Sequence, residues 1–421
     1  MTIINNLKKI YTIIKDVFLN LIYYLSKIVP KSRNIWILGS NTGEMFTDNS
    51  KYLFLYLQNY LKNEIKSIWI SNNKILLKEL TEHNFTSFYK WSLRGIYYTM
   101  RAKIVILTHG EADVNMYLAS GIRINLWHGA PLKKIGYKNL HPNNYIYKIY
   151  FSKGWRRLLF KITKSSIFRE YDYINVTSNF YKKIFSRDFN MDKQKIIVYG
   201  YPRNDILASP LDGMYIGVDK KILDTIRAKK EEGKQIILYM PTFREFSEFH
   251  LKDIFNFSIL NQKLEEMNYY LVLKVHSHTK NCNDEIISNN IGLCISRSDP
   301  QPLLSDVDIL ITDYSSVYFD FLFLNKPIIF YAYDLDNYLK TEREMYFKYE
   351  NITPGKIVKT FNELIEALQE ISQNRYNYHQ KISEVKNKIF KYSDNHSSRR
   401  IVNFISKKLL NIEIDKKEGN Y

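Results

Sequence analysis

Cysteine is nearly absent from this chain: Cys282 and Cys294 are the only two among 421 residues. That excludes a disulfide scaffold and fits a reducing interior, though so low a count is compatible with either side of a membrane. No run of twenty uncharged apolar residues occurs, and no small-residue cleavage site follows the apolar start. Neither a spanning helix nor a secretory signal is therefore expected. There is no G-x-x-x-x-G-K-S/T loop and no G-x-S-x-G elbow, and Gly39 to Gly43 holds too little of the dinucleotide fingerprint. These absences count against a P-loop ATPase, an elbow-type hydrolase and a classical nicotinamide fold. Short-period repeats and low-complexity tracts are missing as well. Acidic residues are also in short supply, 43 Asp and Glu against 61 Lys and Arg, which leaves a net charge of +18. Such an excess points to an anionic partner, whether nucleic acid, an acidic small substrate or an anionic bilayer, unless it reflects a compositional bias toward Lys.

What is present describes a folded protein, with 45% hydrophobic and 25% charged residues. The length exceeds what one hydrophobic core usually serves, so two domains are expected. Within residues 1–30, Ile10, Ile13, Ile14, Val17, Phe18, Leu21, Ile22 and Leu25 recur at helical spacing, and Lys8, Lys9, Lys15 and Lys27 add positive charge. That pattern suits an amphipathic helix lying in an anionic membrane interface; a helix covering the first domain's core would show the same spacing.

Beyond it, short β-rich runs alternate with helical patterns. Strands are predicted at 34–40, 67–71, 103–108, 122–126, 173–177 and 196–199. After a turn-rich stretch at 208–213 they resume at 235–240, 269–275, 292–295, 307–312 and 327–331. A basic helical excursion is predicted over 150–168, and helices over 361–369, 376–391 and 399–410. Strands separated by helices argue for parallel sheets in an α/β fold. Two such series of similar length predict a bilobed molecule, with an N-terminal domain over 31–207, a second over 208–395, a helical tail over 396–421 and a cleft between the domains.

In open α/β sheets ligands collect beyond the carboxyl ends of the strands. His128 and His276 each follow a predicted strand there. One imidazole could take a proton from an attacking hydroxyl while the other hydrogen-bonds a phosphate or leaving group. Gly129-Ala130-Pro131 after His128 makes a stiff turn, and Lys133 and Lys134 bring charge. Arg244 follows the strand exit Pro241-Thr242, where a guanidinium could clamp a phosphate. Arg203 holds a similar place in the first half, with Asp205 as a possible partner, and His109-Gly110 is another strand-end pair. Asp313, Ser315 and Ser316 end an apolar run just before a helical pattern, where free N–H groups and hydroxyls would face an anion; Asp313 could equally hold a divalent ion, brace the loop or cap the helix. His276 and His278 stand two residues apart, but no third ligand sits at conventional spacing, so no zinc site is expected. No cofactor is assigned, and a divalent cation stays open.

Several segments together resemble the CDP-glycerol glycerophosphotransferase family, the teichoic acid and capsular polyol-phosphate primases and polymerases of bacteria. They are 127–136 (W-H-G-A-P-L-K-K-I-G), 178–185, 199–205 (Y-G-Y-P-R-N-D), 241–244 (P-T-F-R), 273–278 (L-K-V-H-S-H), 311–320 (I-T-D-Y-S-S-V-Y-F-D), 325–331 and 394–400. The chain departs from the family pattern at Ser277, where Pro is frequent, and at Ala130, where Thr is common. The resemblance implies two Rossmann-like lobes of glycosyltransferase-B type, with the N-terminal amphipathic helix and C-terminal helices added. It implies transfer of glycerol phosphate or ribitol phosphate from CDP-glycerol or CDP-ribitol, with release of CMP. The acceptor would be a hydroxyl of an undecaprenyl-diphosphate-linked saccharide or a growing polyol-phosphate chain. It further implies a peripheral enzyme on an anionic membrane surface, at the cytoplasmic face, and no nucleic-acid partner. His128 maps to the proposed base and His276 to donor phosphate binding and catalysis. Arg244, Asp313, Ser315, Ser316, Lys133 and His278 are the expected phosphate- or cytidine-binding set. A sugar-nucleotide glycosyltransferase of the same fold is the alternative enzyme, and a non-catalytic basic binding protein the alternative of another class.

Overall fold

The computed structural model describes residues 2–242, 244, 250–275, 287–294, 297–341 and 344–413. The chain divides into two units. The first comprises 1–128, 135–216 and 394–421, and the second 129–134 and 217–393.

Among the described residues the first unit is built on a parallel sheet of seven strands. They are β1 (Ser32–Leu38), β2 (Lys66–Ser71), β3 (Ser87–Tyr89), β4 (Ala102–Leu107), β5 (Ile122–Asn125), β6 (Tyr173–Val176) and β7 (Ile196–Val198), in the order β3-β2-β1-β4-β5-β6-β7. Along β1, Ile35 and Ile37 enter one apolar cluster while Trp36 and Leu38 enter another. Both faces of the sheet are thus buried, as the near-continuous apolar runs require. The order reverses between β1 and β4, which makes their exits the topological switch point.

The second unit repeats the plan with β8 (Gln235–Tyr239), β9 (Tyr269–Lys274), β10 (Ile291–Cys294), β11 (Ile309–Thr312), β12 (Ile328–Tyr331) and β13 (Lys356–Val358), in the order β10-β9-β8-β11-β12-β13. All its pairings are parallel, and its switch point lies between β8 and β11.

Two excursions cross the sequence divisions. Residues 129–134 fall inside the first sequence-defined domain yet pair with the second unit. Lys133 bridges Met345 in antiparallel fashion, and Leu132 and Glu344 accept hydrogen bonds from the N–H groups of Tyr346 and Lys134. The segment from 394 onward returns to the first unit. There the Asp205 carboxylate accepts N–H bonds from Ser397 (3.0 Å) and Ser398 (2.8 Å), closing the start of the helix Ser397–Asn403. Burial pushes the Asp205 pKa up to about 6 against those bonds. Asp205 is therefore the cap of a distant helix and not the partner of Arg203.

The helix Thr2–Ile28 docks through a polar seam. Asn20 donates to the carbonyl of Ile162 at 2.7 Å, Lys164 pairs with Asp16 at 2.6 Å, and the Arg169 guanidinium lies 3.6 Å above the Tyr23 ring. Tyr11, Ile14, Phe18, Leu21 and Leu25 point to solvent. The predicted basic excursion is three helices, Tyr145–Tyr150, Gly154–Thr163 and Ser165–Phe168.

Candidate active site

In the first unit the chemistry gathers where β1, β4 and β5 end. Gly39 leaves β1 so close to the Asp113 carbonyl that a Cβ would collide with it. The Asp113 carboxylate, fully buried, accepts N–H bonds from Thr42 (2.9 Å), Thr108 (2.8 Å), His109 (2.7 Å) and Gly110 (3.2 Å). It thereby fastens the β1 and β4 exits together across the switch point. Its desolvation raises its pKa, with His109 and the backbone donors acting in the opposite sense.

His109 is oriented by this loop. The Asn41 N–H donates to its Nδ1 at 3.2 Å, so the ring proton resides on Nε2, which faces Asp48 Oδ2 at 3.5 Å. The His109 and His128 rings stack at 4.8 Å with an interplanar angle of 4°. Asp48 opens the helix Asp48–Tyr60, and its other oxygen accepts from Arg203 Nη1 at 2.6 Å. The same Arg203 nitrogen donates to the His128 carbonyl at 2.9 Å. Asn49 donates to the Trp127 carbonyl (2.7 Å) and accepts from the Arg203 N–H (3.1 Å).

Backbone strain marks the same place. Among the described residues, the positive-φ positions other than Gly and Asn are Thr42 (57°), Asp48 (60°) and Trp127 (63°), and all three lie in these loops. Left-handed backbone is costly for such residues and persists where the surroundings over-determine it.

His128 is exposed to solvent, although protein atoms crowd its surroundings. Its pKa is pushed down to about 4, first by desolvation, then by His109, with Arg203 adding and Asp48 opposing. That exposure moderates the desolvation, but the Arg203 guanidinium acts in the same direction. His128 is thus a neutral imidazole at physiological pH, fit to accept a proton.

In the second unit the β8 and β11 exits are likewise fastened by a carboxylate. Asp313 accepts from the N–H groups of Thr242 (2.8 Å) and Tyr314 (2.5 Å) and from Arg244 Nη1 (2.7 Å). Arg244 also grips Asp334 through Nε (3.2 Å) and Nη2 (3.0 Å) and lies near the rings of Tyr314 and Tyr338. Its side chain is 1% exposed and that of Asp313 0%. Burial would lower the Arg244 pKa, but Asp313 and Asp334 outweigh it and hold the value raised. Arg244 and Asp313, expected on the substrate, are here engaged with one another and with the loop.

The remaining expected residues fall as follows. Lys133 Nζ stands 5.2 Å from the centre of the Tyr338 ring, which Arg244 also faces. Ser315 and Ser316 are half-buried just beyond Asp313, and Ser315 Oγ accepts from the Val317 N–H at 3.4 Å. His276 and His278 lie outside the described residues. The second unit therefore groups Lys133, Arg244, Asp313, Ser315 and Ser316, while His128 belongs to the first. Asp48, Asn49 and Asp113 went unnoticed in the sequence: Asp48 and Asn49 open a helix after a polar stretch with no motif, and Asp113 stands just past the strand-end pair His109-Gly110.

The family described as CDP-Glycerol:Poly(glycerophosphate) glycerophosphotransferase matches residues 21–407. The teichoic acid glycerol-phosphate transferase of Staphylococcus aureus is 29% identical over 414 residues, covering 94% of this chain and 99% of that protein. The teichoic acid glycerol-phosphate primase of Bacillus subtilis is 30% identical over 323 residues, 74% of this chain and 76% of that protein. Among solved structures, the wall teichoic acid polymerase TagF superposes with a TM-score of 0.70 at 24% identity, over 97% of this chain and 98% of that one, a likeness of fold. With two parallel-sheet units of this kind and a match of that extent, the chain belongs to the CDP-glycerol:poly(glycerophosphate) glycerophosphotransferase family and is an enzyme of it.

Proposed function

We propose that this transferase uses CDP-glycerol and builds a glycerol phosphodiester on a lipid-linked saccharide or polyol-phosphate chain. An acceptor hydroxyl attacks the phosphorus that bears glycerol. The new O–P bond forms as the anhydride bond to CMP breaks, CMP departs, and the hydroxyl proton passes to His128. The observation that carries this reading is the neutral His128 imidazole beyond β5, stacked on His109 at the β4 exit, within a family of CDP-polyol transferases. On the donor side, Asp313 and Arg244 shape the loop that presents Ser315 and Ser316 to phosphate, and Lys133 adds positive charge. His276 completes the donor side as the family resemblance implies. Glycerol is favoured over ribitol because the transferase and the primase described above both carry glycerol phosphate in their names.

Parallel assays with CDP-glycerol and CDP-ribitol on defined lipid-linked acceptors test the reading. The expected result is CMP release and an acceptor mass increase of glycerol-phosphate units with the first donor. CMP release with ribitol-phosphate masses only, or a glycoside with nucleoside diphosphate, would overturn it.

The enzyme is further proposed to work on an anionic membrane surface at the cytoplasmic face. No helix among the described residues is long and apolar enough to cross a membrane. Yet Phe18, Leu21 and Leu25 are exposed on the first helix, and Trp155 and Leu158 on the helix Gly154–Thr163 that packs beside it, flanked by Arg156, Arg157 and Lys161. Apolar side chains rimmed by cations suit insertion among anionic headgroups. Burying one such side chain contributes about 1.5–3 kcal/mol, so Phe18→Glu with Leu21→Glu should weaken binding to phosphatidylglycerol vesicles by roughly 10²-fold or more. Co-sedimentation reads this, with turnover on a soluble acceptor unchanged. Equal vesicle binding by the double variant would refute membrane docking through this face.

A further inference from the structure

We propose that Asp48 is the positioning residue of the imidazole pair, its two carboxylate oxygens fixing His109 on one side and the main chain of His128 on the other. The proposal rests on the transfer reading above but concerns a residue to which that reading assigns no part.

Asp48 occupies a conformation that its side chain does not favour. Its φ of 60° lies in the left-handed region, at the first residue of a helix whose N-cap, Thr47, makes no side-chain capping bond. An Asp in the first turn ordinarily serves the helix terminus. This one turns instead to Arg203 Nη1 at 2.6 Å and to His109 Nε2 at 3.5 Å. Because Arg203 also holds the His128 carbonyl, a single carboxylate touches the supports of both rings. The titratable groups around it are His109, His128 and Arg203, with Asp113 beneath the His109 loop.

The consequence for the reaction follows from the tautomer. The Asn41 N–H and the Asp48 carboxylate act on opposite nitrogens of His109, and together they select the Nε2-protonated form. The ring is then held flat against His128 at 4.8 Å instead of rotating about χ2. A carboxylate that fixes a neighbouring imidazole contributes to the rate without touching substrate, because the wrong tautomer or tilt removes the productive geometry.

Asp48→Asn isolates the charge. Asn tolerates left-handed backbone better than most residues, so the turn is retained. The expected result is a folded protein whose kcat for CMP release falls by about 10²-fold or more, with KM for CDP-glycerol within about threefold. In ¹⁵N-histidine spectra, the signal of His109, assigned with His109→Gln, should lose its uniform Nε2-protonated signature. Asp48→Glu, which keeps the charge at a longer reach, should recover part of the rate. The proposal is overturned if Asp48→Asn keeps kcat within about threefold of the parent. It is equally overturned if the His109 tautomer is unchanged and the rate loss follows a loss of folded protein. The spectra are read without turnover. A parent enzyme that released no CMP from either donor would therefore sink the transfer reading while the role of Asp48 was still decided.

Discussion

His128→Ala is expected to lower kcat for CMP release by about 10²–10⁴-fold, the range that a positioned general base supplies. The side chain keeps solvent contact, so its removal leaves little cavity, and circular dichroism and the melting temperature should stay close to the parent's. The pH profile carries the sharper test. With a pKa of about 4, His128 is neutral from pH 8 down to about 5. The rate should stay level across that span and decline only as the ring takes a proton near pH 4. An imidazole at its ordinary value near 6.5 would already have lost most of its base form at pH 5.5. The same shift has a stability consequence. Below pH 6.5 the unfolded chain binds a proton here that the native one does not, so stability falls with pH through the window from 6.5 toward 4. Full turnover by the alanine variant, or an acid limb centred near 6.5 that vanishes in it, would overturn the assignment as drawn.

Arg244→Met should be the most destabilising single change in the second unit. The guanidinium is enclosed, and its removal leaves Asp313, fully buried, and Asp334 without their cation. Breaking one side of a buried ion pair costs about 3–5 kcal/mol, a large fraction of the stability of a typical domain. The Thr242 and Tyr314 N–H bonds to Asp313 would loosen with it, so donor-dependent turnover should vanish as well. Arg244→Lys keeps a charge but cannot span both carboxylates, and should fall between the two. Adding Asp313→Asn and Asp334→Asn to the methionine variant should restore part of the stability by removing the stranded charges. Urea unfolding followed by fluorescence checks this. A loss under about 1 kcal/mol in Arg244→Met, with KM for CDP-glycerol alone rising, would show a direct phosphate ligand instead of a brace.

The sequence disclosed this molecule unevenly, for physical reasons. Strands β1, β2, β4–β12 stand out because both their faces are covered, which forces apolar runs such as Ile309–Thr312. The two missed strands, β3 (Ser87–Tyr89) and β13 (Lys356–Val358), are three-residue strands at sheet edges, too short and too mixed to leave a pattern. The helix predicted over 399–410 begins at Ser397 and passes into a wider π-type turn at Phe404–Leu410, a change of pitch that apolar spacing does not record. At the site, strand-exit position singled out His128 and Arg244, but their partners were not legible. Arg203 has an acid two residues away, yet it reaches Asp48, 155 positions distant, while Asp205 caps a helix 192 positions distant. Asp113, three residues after Gly110, is the one omission with a local signal: an acid just past a strand-end glycine is placed to collect the N–H groups of that turn.

Both sheets secure their exits with an aspartate that gathers main-chain amides, Asp113 in one and Asp313 in the other. Every residue but proline carries an amide hydrogen, so this anchorage is blind to the side chains at positions 42, 108, 110, 242 and 314. Side chains at positions 42 and 242, which lie outside the core, can change without loosening this anchorage, whereas those of Thr108 and Tyr314 are buried and bound within it. A scaffold of that kind leaves part of each exit loop open to divergence with little penalty in folding.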